Sequence, residues 1–76
     1  MARSYTIVLI PEPEEGGYSV LVPSLPGCVT QGETVQEAIE MAKDAIEGWI
    51  AVAKKHGEPI PEETDSPRTI RIDVAA

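Results

Sequence analysis

The sequence predicts a small α+β domain of 76 residues: a three-stranded antiparallel meander, one long helix and a fourth strand. Three observations indicate this class. Short apolar runs in the first half of the chain are separated by clusters of proline and glycine. One longer stretch carries apolar residues at helical spacing, and a cleanly alternating run lies near the end. The length is that of a single domain, so residues 1–76 are taken as one unit.

The first three strands are predicted where β-branched and aromatic residues lie between turn residues. Tyr5–Ile10 is apolar on both faces and is stopped by Pro11, so we expect it in the middle of the sheet. Turns rich in proline and glycine then lead to Tyr18–Val22 and to Cys28–Gln31. Strands joined by such short turns form an antiparallel meander.

The helix is predicted from about Val35 to about Lys55. Thr34 and Glu37 fit a capping box, in which the hydroxyl accepts from the Glu37 amide and the carboxylate reaches back. Gly57 suits the position just beyond the last turn. Its apolar residues form one continuous stripe: Val35, Ala38, Ile39, Ala42, Ala45, Ile46, Trp49, Ile50 and Ala53.

A fourth strand is predicted over Thr69–Val74, after an irregular crossing segment over Glu58–Pro67. The run alternates, with Ile70, Ile72 and Val74 on one face and Arg71 and Asp73 on the other. A right-handed crossover would place this strand parallel to its neighbour, most simply beside the first strand.

One helix can cover only one face of such a sheet, so the fold looks incomplete alone. The uncovered face is expected to meet another protein or another copy of the chain. The candidate interface combines residues of that face with acids of the first turn: Thr6, Val8, Ile10, Leu21, Glu12, Glu14 and Glu15.

The formal charge is −7, from 13 acidic and 6 basic residues. Direct nucleic-acid binding is therefore not expected, because phosphate contacts need clustered Lys and Arg. The charge fits a basic protein partner, but charge alone favours the simpler interpretation that it keeps a small protein soluble. No signal peptide or membrane-spanning run is visible. With the single Cys28, this favours a reducing, cytoplasmic setting.

No constellation for catalysis is visible, so we expect neither enzymatic activity nor a metal or cofactor. Cys28 and His56 are alone in type and far apart, without zinc spacing. A buried small residue and a surface residue near the helix C-terminus are the simpler interpretations. Gly27 and Gly32 are assigned to turns, and Trp49 to the core. The acids lie mostly outside the strands, which disfavours a nuclease site.

The segment from Pro23 to Thr34 resembles a family signature. Its residues, PSLPGCVTQGET, resemble the "P-x-LPGC-x-T-x-G-x-T" pattern of HicB-like antitoxins, and Glu37-Ala38 extends the match. Trp49 and the Gly57-x-Pro-Ile-Pro run also fit. The resemblance covers roughly residues 4 to 74.

The resemblance implies a partial RNase H-like fold and a role in a type II toxin–antitoxin pair. The implied partner is a small basic ribonuclease of the HicA kind, which the antitoxin neutralises by binding. Homo-oligomers, dimers or tetramers, are also implied. Many family members add a DNA-binding segment after this domain. The chain ends at Ala76, soon after the last predicted strand, so direct DNA binding is not carried over. An orphan homo-oligomeric accessory domain without a toxin is the alternative.

Overall fold

The computed structural model describes residues 3–75. Its elements are, in chain order, the strands β1 (Val8–Pro11), β2 (Tyr18–Leu21) and β3 (Val29–Gly32) and the helix α1 (Val35–Lys55). The strands form one antiparallel sheet in the order β1-β2-β3. The predicted α+β class, with a meander followed by one long helix, is confirmed. No helix within the described residues has the length and apolarity to cross a membrane.

The first strand lies at the edge of the sheet, and β2 is the central strand. The prediction of a central first strand is therefore wrong. β1 also begins at Val8, three residues later than predicted, and it includes Pro11, which pairs with Tyr18. Proline lacks an N–H to donate and is tolerated in edge strands. Pro11 was therefore the overlooked signal for an edge position.

Both ends of α1 lie where the sequence predicted them. The Glu37 amide donates to Thr34 Oγ1 at 3.1 Å, and the Glu37 carboxylate accepts from the Glu33 amide at 3.2 Å. At the other end, Gly57 has φ of +67° and its amide donates to the Lys54 carbonyl. The Glu58 amide donates to the Ala53 carbonyl at 2.9 Å, which completes a Schellman motif.

The core lies between α1 and the sheet, mainly over β2 and β3. Val20 packs with Ala38 and Ala42, all at most 2% exposed. A second cluster is formed by Val22, Leu25 and Cys28, with Tyr5, Ile7, Ala45, Ile46 and Trp49 packed against it. Trp49 packs against this second cluster, as its predicted core position requires, but its side chain is only partly buried.

Gly32 lets the end of β3 approach α1 closely. A Cβ atom at this position would lie 2.5 Å from the Ala38 amide nitrogen. Gly32 has no positive φ, so its role is close packing, not the turn that the sequence suggested. Gly17 has φ of +73°, and a Cβ there would lie 2.6 Å from the Gly32 carbonyl oxygen. The two glycines thus bring the first turn, β3 and α1 together.

The predicted fourth strand, Thr69–Val74, is not formed in the structure. Over the described residues 3–75 the sheet has three strands, and the side chains of Ile70, Ile72 and Val74 are 75%, 74% and 78% exposed. All residues from Thr64 to Ala75 are exposed. The RNase H-like arrangement, with a fourth strand beside the first, is therefore not seen within this single chain.

Candidate protein-interaction surface

Four carboxylates lie around one open depression at one end of the sheet. Glu12 and Glu15 come from the turn between β1 and β2, Glu33 lies between β3 and α1, and Glu37 lies in the first turn of α1. The depression is also lined by backbone or side chains of Gly16, Tyr18, Ser19, Gln31 and Gly32. We call this region, defined by its four glutamates, the acidic end.

Local hydrogen bonds position the acidic end. Ser19 Oγ donates to Glu12 Oε1 at 2.6 Å, and the Glu12 backbone bonds with Gly16 and Gly17 at 2.7 and 3.0 Å across the turn. Glu37 is held by the helix cap described above. Glu12 is half-buried, while Glu15, Glu33 and Glu37 are exposed. The acidic end thus presents like charges to solvent, an arrangement that attracts basic side chains.

The sequence predicted only part of this region. Glu12 and Glu15 were in the predicted interface, but Glu14, although exposed, does not line the depression. Glu33 and Glu37 were not included in the predicted interface; Glu37 had been assigned to the helix cap and to the polar side of the helix. The signal available was the meander itself: Gly32 pairs with Tyr18, so the β3–α1 junction must lie beside the first turn.

The sheet face that points away from α1 carries an apolar patch. Val8 pairs with Leu21, which pairs with Val29, so the three side chains lie in one row across the sheet. Ile10 lies two residues along β1 on the same face. Ile10 is 43%, Leu21 37% and Val29 61% exposed. The structure thus places Val8, Ile10 and Leu21 on one face and adds Val29, which the sequence prediction missed.

Thr6 is set apart from this patch by its hydrogen bonds. Its amide donates to Glu63 Oε1 at 2.8 Å and its hydroxyl to Glu63 Oε2 at 2.5 Å. Ser24 Oγ also donates to Glu63 Oε1, at 2.9 Å. Thr6 therefore takes part in a structural network, with Glu63 as its acceptor. Sequence reasoning had grouped Glu63 with the exposed acids of the crossing segment.

The bonds from Thr6, followed by those from Ser24 and Ser66, lower the pKa of Glu63 from its usual value; partial burial opposes this shift. The Tyr5 hydroxyl donates to the Pro61 carbonyl at 2.5 Å beside this network. We call Tyr5, Thr6, Ser24 and Glu63 the anchored end of the sheet, since they fasten the segment after α1 to the residues that lead into β1.

The two residues considered for catalysis, Cys28 and His56, have different environments. Cys28 is buried, and this burial raises the pKa of its thiol, which disfavours the thiolate. His56 is exposed and forms the C-cap of α1. Among the described residues, no group of three or more His, Cys, Asp or Glu side chains could hold a metal ion.

Comparisons with known proteins give consistent results. A family model described as a HicB-like antitoxin of bacterial toxin–antitoxin systems matches residues 5–72. A UPF0150 protein of Thermoplasma acidophilum is 46% identical over 66 residues, which cover 87% of this chain and 94% of that protein. A UPF0150 protein of Synechocystis is 40% identical over 60 residues, covering 79% and 75%. Antitoxin HicB of Escherichia coli is 55% identical over 42 residues, covering 55% of this chain but 30% of that antitoxin.

Proposed function

Because the chain belongs to the family of HicB-like antitoxins, we propose that it neutralises a small basic ribonuclease toxin by binding it. The family implies a toxin partner. A HicA-like ribonuclease is the specific partner proposed here. The chain itself would act without catalysis, in the cytoplasm, as one domain over residues 1–76.

The acidic end is the observation that carries this proposal. Four glutamates around one depression form a compact negative surface that matches a basic partner. Ser19 and Gln31 line the depression, and both also pair along the rows of the outer sheet face. The apolar patch of Val8, Ile10, Leu21 and Val29 therefore adjoins the acidic end. A charged rim next to an apolar patch is the usual composition of a protein-binding surface.

The same charge disfavours direct binding to DNA, since the 13 acids outnumber the 6 basic residues. The partial RNase H-like fold remains part of the proposal. It needs a fourth strand beside β1, and the alternating run over Thr69–Val74 is the segment of the chain that fits this role.

The decisive experiment is co-expression of the chain with the products of its neighbouring genes, followed by calorimetry of the chain with any small basic protein that co-purifies with it. The variant Glu15→Lys with Glu33→Lys reverses two charges of the acidic end, and neither side chain forms a hydrogen bond with any residue from 3 to 75. The control, Asp44→Lys with Glu58→Lys, makes the same change in net charge at exposed positions on and just beyond α1.

We expect the acidic-end variant to weaken binding about tenfold or more, and the control to have a much smaller effect. Equal effects of both variants would show that net charge alone drives association. If the wild-type chain and its neighbour form no complex at all at moderate salt, the antitoxin assignment fails. In that case the alternative function, an orphan homo-oligomeric accessory domain, takes its place. The exposed apolar side chains of Ile70, Ile72 and Val74 favour that alternative.

A further inference from the structure

Residues 64–75, here called the arm, lie outside the packed body of the molecule. Every residue of the arm is exposed, and it forms no helix or strand. Yet it contains the alternating run Thr69–Val74, whose Ile70, Ile72 and Val74 are each about three-quarters exposed. A period of two with one apolar face is the pattern of a half-buried strand. In this structure the apolar face of the segment has no other part of the described chain packed against it.

The chain leaves the body at a fixed point. Glu63 is bonded to Thr6 and Ser24 at the anchored end, and the arm follows directly. The radius of gyration is 14.4 Å, and the long dimension is 47 Å against 26 and 20 Å. A compact domain of this length has a radius of gyration of about 11 Å. The arm therefore extends away from the body and is well placed to reach another molecule.

A matching surface exists at the edge of β1. Within residues 3–75, β1 pairs only with β2, so its other edge carries unpaired backbone donors and acceptors. The helix lies mainly over β2 and β3, which leaves a groove between the N-terminal segment and α1. The groove includes the partly buried side chains of Tyr5, Ile46 and Ile50. A strand added to β1 could bury one apolar face in this groove.

The composition of the molecule favours a second copy of the chain as the source of that strand. Each copy carries both the unburied alternating run and the edge of β1 that has no strand beside it within residues 3–75. The arm holds two arginines, Arg68 and Arg71, and two acids, Asp65 and Asp73, so it carries no net charge. The rest of the chain holds four basic and eleven acidic residues, so an added arm brings no further negative charge to the acidic body that receives it.

We propose that residues 69–74 form a fourth strand on the free edge of β1 in a second copy of the chain. The exchange is reciprocal, so that two chains form a closed dimer with two four-stranded sheets. Ile70, Ile72 and Val74 face the groove beside α1 of the partner copy. This inference concerns the chain alone and does not depend on the existence of a toxin.

The first test measures the monomer–dimer equilibrium by sedimentation over a range of concentrations. Ile70→Ser with Ile72→Ser removes the apolar face of the arm. Arg71→Ser with Asp73→Ser is the matched control: it alters the same arm to the same extent on the other face and keeps the net charge. We expect a dimer whose dissociation constant rises on the order of a hundredfold or more in the first variant. The control should change it far less. A monomeric wild-type chain, or equal effects of both variants, would overturn the proposal.

The second test identifies the surface that receives the arm. A spin label is placed at Asp73→Cys in a Cys28→Ala chain, which is mixed with an unlabelled, ¹⁵N-enriched chain. Line broadening can then arise only between molecules. We expect broadening of the Val8, Leu9 and Ile10 amides in the enriched chain. Broadening confined to β3, or none between chains, would exclude exchange onto β1. A second sample carries the label and ¹⁵N on the same chain. Broadening of these amides in the second sample alone would instead show an intramolecular fourth strand.

Discussion

The two ends of the sheet use the same residue type in opposite ways. At the anchored end, one carboxylate, Glu63, accepts hydrogen bonds from Thr6 and Ser24 and fastens the segment after α1. At the acidic end, four carboxylates share a depression and mostly face solvent. Acids at the first end hold the fold together, and acids at the second are available for a partner.

The difference lies in the range of the contacts. Glu63 is 57 residues from Thr6 and 39 from Ser24 along the chain. The hydrogen bonds made by the side chains of Glu12 and Glu37 at the acidic end join residues at most seven positions apart. Local contacts can form as soon as a turn or helix forms, whereas the anchor requires the finished fold. Substitutions at the anchored end should therefore affect the whole domain, and charge changes at the acidic end should mainly affect binding.

The largest effect on stability is expected from Gly32→Ala, where the acidic end meets the core. The new Cβ would lie 2.5 Å from the Ala38 amide nitrogen, so β3 and α1 must separate. We expect a loss of about 2–3 kcal/mol in the free energy of unfolding, measured with urea. Gly48→Ala is the control, since nothing lies within 4 Å of a Cβ there. Being within α1, it should stabilise by up to about 1 kcal/mol. Similar results for both variants would contradict the close-packing role of Gly32.

Glu63→Gln tests the anchored end. The substitution removes the charge that accepts hydrogen bonds from Thr6 and Ser24, and it places an amide group where donors already point. We expect a clearly lower melting temperature, measured by circular dichroism. Glu62→Gln should leave it nearly unchanged, because Glu62 is exposed and lies 3.9 Å from Arg3 in a surface ion pair. If the two neighbouring variants melt alike, Glu63 is not an anchor.

Thr34→Ala probes a local contact at the acidic end. It removes the acceptor for the Glu37 amide, and the expected cost is about 1 kcal/mol in the free energy of unfolding. Thr34→Ser keeps the hydroxyl and should retain most of the stability. The comparison by urea denaturation would go against the capping role if the serine variant lost as much as the alanine variant.

The smallest expected effect is the change of stability with pH that is due to Glu63. Its pKa in the folded protein is lowered from the ordinary value of 4.5. The unfolded chain therefore binds a proton first as the pH falls. The stabilisation is complete above about pH 4.5 and decreases as the pH falls from there through the lower pKa of the folded state. The difference in melting temperature between wild type and Glu63→Gln should narrow over this range. A difference that stays constant down to pH 3 would exclude ionisation as its cause.

Much of the fold could be predicted because its signals are local. The helix bounds, the Thr34–Glu37 cap and the terminal Gly57 depend on residues within one or two turns of each other. The buried position of Cys28 also followed from the sequence. Half of the acidic end was predicted, since Glu12 and Glu15 lie in a recognisable turn. Glu33 and Glu37 were missed because their proximity to that turn depends on strand pairing.

The sequence by itself determined the types of the first three strands and the helix, the order of the meander and the apolar stripe of α1, since hydrophobic spacing and turn residues act over a few positions. Only the tertiary structure decided that β1 lies at an edge, that Gly32 is a contact with α1, and that Glu63 is an anchor. It also decided that residues 69–74 lie outside their own sheet. An apolar pattern in the sequence indicates that one face of a strand or helix must be buried. Which surface buries it depends on distances between segments far apart in the sequence.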